Sequence, residues 1–156
     1  MVLRFKEAVI KAEKNEKVKE LKKQGYFLIS AFTMLTLDEE ICGWKLHYYN
    51  PKKKNIHSFM VGKDVVFDGV SPAMSESKEM DPSKFRILSE DAIEEAKKDF
   101  EDDLLKIMLT ARFDQKLNKN VWSVNLVRKD MSICSFTISG EEKKILSKKE
   151  ISLMKR

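Results

Sequence analysis

Two stretches decide how this chain is read. Trp44-Lys45-Leu46 is followed by Ile56-His57-Ser58-Phe59-Met60-Val61, and further on Trp122-Ser123-Val124 is followed by Ile133-Cys134-Ser135-Phe136-Thr137-Ile138. Most of these residues alternate apolar with polar, the period of a strand with one buried face. Working outward, Glu7-Ala8-Val9-Ile10-Lys11-Ala12-Glu13-Lys14 precedes the first pair, and Asp91-Ala92-Ile93-Glu94-Glu95-Ala96-Lys97-Lys98 precedes the second. Both carry the apolar stripe of an amphipathic helix. The matched order predicts an α+β fold of two tandem repeats, each one helix followed by a three- to four-stranded antiparallel meander. The first repeat spans residues 1–70 and the second 86–156. Residues 71–85, polar and holding Pro72 and Pro82, read as the linker between them.

Hairpin arithmetic assigns the faces. If Tyr49 pairs with Asn55 across a 50–54 loop, Tyr48 faces Ile56 and Trp44 faces Met60. A two-residue Lys129-Asp130 turn makes Leu126 face Ile133 and Trp122 face Thr137. Under this register both tryptophans point toward their helices, while Phe59 and Val61, with Phe136 and Ile138, lie on the sheet backs. Such a patch requires a cover, either the other repeat or a second chain. Phe59 and Phe136 are therefore candidate binding residues, and the chain is expected as a monomer or a homodimer. The same register sets His47 opposite His57. Two imidazoles without a third ligand do not make a metal site, so no metal is expected.

Ala92, Ile93 and Ala96, then Trp122-x-Val124, Cys134-x-Phe136-x-Ile138, Gly140 and Ile145-Leu146, resemble the PepSY-type domains and the wider cystatin-like group. The likeness covers about residues 86–150, and 3–68 more weakly. Ile138-Ser139-Gly140 lacks the Asp and Thr that precede the family's late glycine, and the inhibitory Gln-x-Val-x-Gly loop of cystatins is absent. The resemblance implies a non-enzymatic module that binds a peptide or protein, in some relatives a peptidase or its propeptide.

Composition narrows the remaining classes. The chain has 156 residues and a net charge of +5, from 30 lysines and arginines against 25 acidic residues. Only Arg4, Arg86, Arg112, Arg128 and Arg156 are arginines, the residue suited to bidentate phosphate contacts. Lys52-Lys53-Lys54, at a hairpin tip, is the candidate contact for an acidic partner or phosphate. A nucleic-acid-associated protein using these tips is one alternative, and an enzyme with a pocket within one sheet is another. Neither is the leading expectation. There is no Gly-rich phosphate loop, nucleophile elbow or His-Glu-x-x-His, and the acidic clusters Asp38-Glu39-Glu40 and Glu101-Asp102-Asp103 lack calcium-loop spacing. No catalytic residue and no cofactor are therefore predicted. Cys42 and Cys134 sit in apolar strands and read as reduced thiols, and with no signal core or membrane span the expected compartment is the cytoplasm.

Overall fold

The chain opens with two helices, α1 (Phe5–Glu13) and α2 (Glu16–Lys23), broken at Asn15. Asn15 is extended, and its Oδ1 accepts from the backbone N–H groups of Lys17 and Val18, so the residue between the helices caps the second. Four strands follow: β1 (Phe27–Thr36), β2 (Trp44–Asn50), β3 (Asn55–Val61) and β4 (Val65–Pro72). After a short 3-10 turn come α3 (Ser89–Lys97), β5 (Leu104–Asp114), β6 (Lys119–Arg128), β7 (Ile133–Ser139) and β8 (Ile145–Ile151). Ser89 is the first helical residue of α3, and Leu88 takes the cap position, its N–H held by the Asp91 carboxylate at 3.1 Å. The structure, a computed structural model, describes residues 2–36, 39–98, 100 and 103–152.

The expectation of two tandem helix-plus-meander repeats is overturned by the strand order. One sheet of eight antiparallel strands runs β4-β3-β2-β1-β5-β6-β7-β8. At its middle β1 pairs with β5 over seven residues, from Ser30 opposite Arg112 to Thr36 opposite Lys106. All three helices bury their stripes in one core on one face of that sheet. The central core row reads Phe67, Phe59, Leu46, Ala31, Ala111, Trp122, Ile138 and Ile145 across the eight strands. Ala31 opposite Ala111 leaves room above the seam. Trp44 and Trp122 stand on strands three spacings apart, about 14 Å, yet their ring centroids are 6.0 Å apart. The rings therefore lean inward toward the seam, and Phe5 of α1 meets both, at 5.8 and 5.5 Å. Each indole N–H reaches a backbone carbonyl, of Leu3 at 2.9 Å and of Ile87 at 3.4 Å.

The segment 71–85, read as a linker, packs along one end of the sheet. The Met80 N–H donates to the Leu28 carbonyl at 2.9 Å, and the side chains of Met80 and Phe85 are buried in the common core. Beyond it, Arg86 and Ile87 both donate to the Gly140 carbonyl. A Cβ at position 140 would lie 2.8 Å from the Asn120 carbonyl oxygen and 3.0 Å from the Phe85 ring, so only glycine fits this crossing.

Both hairpin registers are one residue from the expected ones. Asn50 joins β2 and pairs with Asn55, so Tyr49 meets Ile56, Tyr48 meets His57, and Trp44 meets Val61. The Asn50 side chain accepts from the N–H groups of Lys52 and Lys53, and Lys54 closes the turn at φ 54°. In the second hairpin Met131 takes a left-handed φ of 71° and adds a third residue to the turn, so Leu126 meets Cys134 and Trp122 meets Ile138. A one-residue shift transfers every side chain of the returning strand to the other face. Phe59, Val61, Phe136 and Ile138 are consequently buried under the helices beside the tryptophans.

Truncating the residue that joins the two tryptophans should weaken the whole molecule. Phe5→Ala is expected to cost about 3–5 kcal/mol, read by urea unfolding. Tryptophan fluorescence and far-UV circular dichroism should follow one coincident transition in wild type and variant. Two separated transitions would mean that the halves fold independently.

Candidate functional site: the open face of the sheet

Alternation sends a second set of side chains to the face opposite the helices. One row reads Val66, Met60, Lys45, Phe32, Thr110, Ser123, Thr137 and Ser147 across all eight strands. Beside it runs Met34, Met108, Asn125, Ser135 and Lys149. In these two rows the β1–β4 half contributes Val66, Met60, Phe32 and Met34 beside Lys45, and the β5–β8 half, apart from Met108, carries hydroxyl, amide and ammonium groups. Among the described residues no helix packs on this face. Met34 is 51% exposed, Met60 43% and Val66 56%.

A third row reads Ser58, His47, Ser30, Arg112, Val121 and Ser139. Its polar groups are held by their neighbours. His47 Nδ1 and Ser58 Oγ are 2.9 Å apart, and Lys45 Nζ pairs with Asp68 at 3.0 Å. Arg112 donates to Ser123 Oγ at 2.7 Å and to Asp114 at 3.1 Å. The Ser58–His47 contact is not a nucleophile at work. Ser58 is almost fully buried, and the nearby Asp68 carboxylate is engaged by Lys45.

The residues singled out from sequence scatter. Lys52, Lys53 and Lys54 form the exposed β2–β3 turn at the end of the sheet, where Lys53 Nζ reaches Gln24 Oε1 at 3.2 Å. Phe59 and Phe136 are core residues, each 1% exposed, and offer nothing to a ligand. His47 and His57 are not opposite one another: His47 is on the open face, and His57 lies on the helix side between Tyr26 and Phe67. Among the described residues no three His, Cys, Asp or Glu side chains gather as a metal site. Cys134 is buried and Cys42 exposed. Asp38, Glu101 and Asp102, from the acidic clusters, lie outside the described residues. Reading from sequence missed Phe32, Met34, Met60, Val66 and Met108. The available signal was the apolar occupancy of both faces of β1, where Phe32 and Met34 alternate with Ala31, Thr33 and Leu35.

No protein-family model matches the chain, and no curated protein matches it in sequence. Among solved structures it is similar to a "putative lipoprotein" of Clostridium difficile 630. The TM-score is 0.60 at 14% identity, over 95% of this chain and 93% of that one. The likeness is one of fold, over nearly the whole length of both, and it carries no PepSY or cystatin naming. It lends no support to the expected cytoplasmic compartment. Among the described residues no helix is long and apolar enough to cross a membrane.

Both histidines are held below the ordinary imidazole pKa of 6.5. For His47 the main cause is burial, then the Lys45 ammonium, with Asp68 opposing. For His57 it is burial, then Lys17 and Lys53, and its Nδ1 is buried without a hydrogen-bond partner. A lowered folded-state pKa means that the unfolded chain binds more protons as pH falls, so stability drops with pH. The stability these groups contribute should be complete above pH 7 and decline from about pH 6.5 downward. His57→Phe keeps a ring between Tyr26 and Phe67 and removes one titration. Its urea midpoint should fall less between pH 7.5 and 5.5 than that of wild type, and an unchanged slope would show that His57 plays no part.

Proposed function

We propose that the chain is a non-enzymatic binding module that recognises a protein partner through the open face of its sheet. The observation that carries this reading is the eight-strand row from Val66 to Ser147, apolar at one end, hydroxyl-bearing at the other, and left uncovered by the helices. Size supports a folded partner over a short peptide. Eight strands about 4.8 Å apart, the shortest 7 residues long, give a face of about 34 by 23 Å, close to the ~800 Å² that one partner contributes to a standard interface. Met34, Met60 and Met108 suit this use, because an unbranched thioether adapts its shape to an opposing surface. The partner should be apolar where it meets Phe32, Met34 and Met60, and should offer hydrogen-bonding groups to Thr110, Ser123 and Thr137.

Met34 and Met60 are exposed, so glutamate at both positions should change stability by no more than about 1 kcal/mol. A protein captured by wild type, and by a Lys52→Glu/Lys53→Glu/Lys54→Glu triple variant, should be lost at least tenfold from Met34→Glu/Met60→Glu, as quantified by mass spectrometry. Capture that survives the methionine changes but vanishes with the lysine changes, and falls steeply with added salt, would favour the charged hairpin tip and a nucleic-acid partner instead.

A further inference from the structure

The helix layer parts where the sheet is seamed. α1 packs over β2 and β3 and α3 over β6 and β7, and toward one end of β1 and β5 a cavity of 380 Å³ opens between α3 and the residues Val2 and Arg4 that lead into α1. That volume falls within the range of about 300–1,000 Å³ usual for small-molecule sites. Among the described residues its apolar lining is aliphatic: Val2, Leu35, Ile41, Ile93 and Ile107. Five charged residues also line it, and most are engaged. Arg4 and Glu90 pair with each other at 3.2 Å, Glu39 accepts from the Thr36 N–H and hydroxyl, and Glu40 has an interaction of its own. The Lys97 ammonium, in the last turn of α3, makes no hydrogen bond or ion pair among the described residues, while its backbone carbonyl accepts from the Phe100 N–H at 3.1 Å. An aliphatic cavity with one uncommitted ammonium at its border is chemically specific.

We propose that this cavity binds a free aliphatic carboxylate, its chain lying against the five aliphatic side chains and its head group on the Lys97 ammonium. The aliphatic character of the described lining disfavours flat ring ligands, which gain from stacking on aromatic side chains. Arg4 and Glu90 offset each other and the Glu39 and Glu40 carboxylates face partners of their own, so the group left to meet a head is the Lys97 ammonium, which selects an anionic one. Its aliphatic lining is on the helix side of the sheet, so the site adjoins the proposed docking face only around Glu39 and Glu40 and takes in neither Met34 nor Met60.

Decanoate and decylammonium, two probes with the same tail and opposite heads, test the assignment by isothermal titration calorimetry below their micelle concentrations. Decanoate should bind once per chain, at least tenfold more tightly than decylammonium, and shift the backbone amide resonances of Ile93 and Ile107. Lys97→Glu should weaken decanoate at least fivefold and reverse the preference, and Ile93→Trp, which fills the cavity, should abolish binding. Met34→Glu/Met60→Glu should leave binding unchanged. Equal affinity for the two probes, no decanoate binding, an unaffected Lys97→Glu variant, or loss in the methionine variant would each overturn the proposal. Because Lys97 is on the surface, its variant decides the matter even if Ile93→Trp does not fold.

Discussion

The seam between β1 and β5 is what the rest of the molecule depends on. Ala31 faces Ala111 there, and the space above two methyl groups admits the indoles of Trp44 and Trp122 from strands on either side. Larger residues at the seam would hold the rings apart. With the alanines in place, Phe5 can touch both indoles, and Phe85 joins at 5.1 Å from Phe5 and 5.1 Å from Trp122. These edge-to-face and tilted contacts each add about 0.5–1.5 kcal/mol beyond burial. They draw α1, the 71–85 segment and both halves of the sheet into one core.

Because that core takes all three helices, the opposite face is left to solvent. A face built only for solvent would alternate cleanly to polar residues. The β5–β8 half does so over Thr110, Ser123, Thr137 and Ser147, whereas the β1–β4 half retains Phe32, Met34, Met60 and Val66. This departure from alternation distinguishes the open face from an ordinary solvated sheet. The same concentration of helix packing over β2–β3 and β6–β7 leaves the aliphatic cavity above one end of the seam. Both proposed sites thus follow from how three short helices are shared over eight strands.

The helices and strands were legible in the sequence because each is written in local periodicity. The apolar stripes at 7–14 and 91–98 announced helices, and the alternation around Trp44 and Trp122 announced strands. The register was not legible, and the two hairpins illustrate why. Each was displaced by one residue in the same direction, so their agreement with one another could not reveal the error. In one, Asn50 extends the strand because its side chain caps the turn; in the other, Met131 adopts a left-handed conformation that few non-glycine residues take. Those single-residue details moved Phe59 and Phe136 from candidate binding positions into the core.

By itself the sequence determined the order of the elements, the buried stripe of each helix and the apolar side of β2 and β6. These properties depend on neighbours within a few positions, and side-chain periodicity records them directly. Only the tertiary structure decided that β1 pairs with β5, that Ile107 and Ile93 wall a common cavity, and that Met60 rather than Phe59 meets solvent. Pairing between strands distant in the chain is selected by the fit of side chains across the seam, such as alanine against alanine beneath two indoles. That fit exists only once both strands and the helix above them are in place.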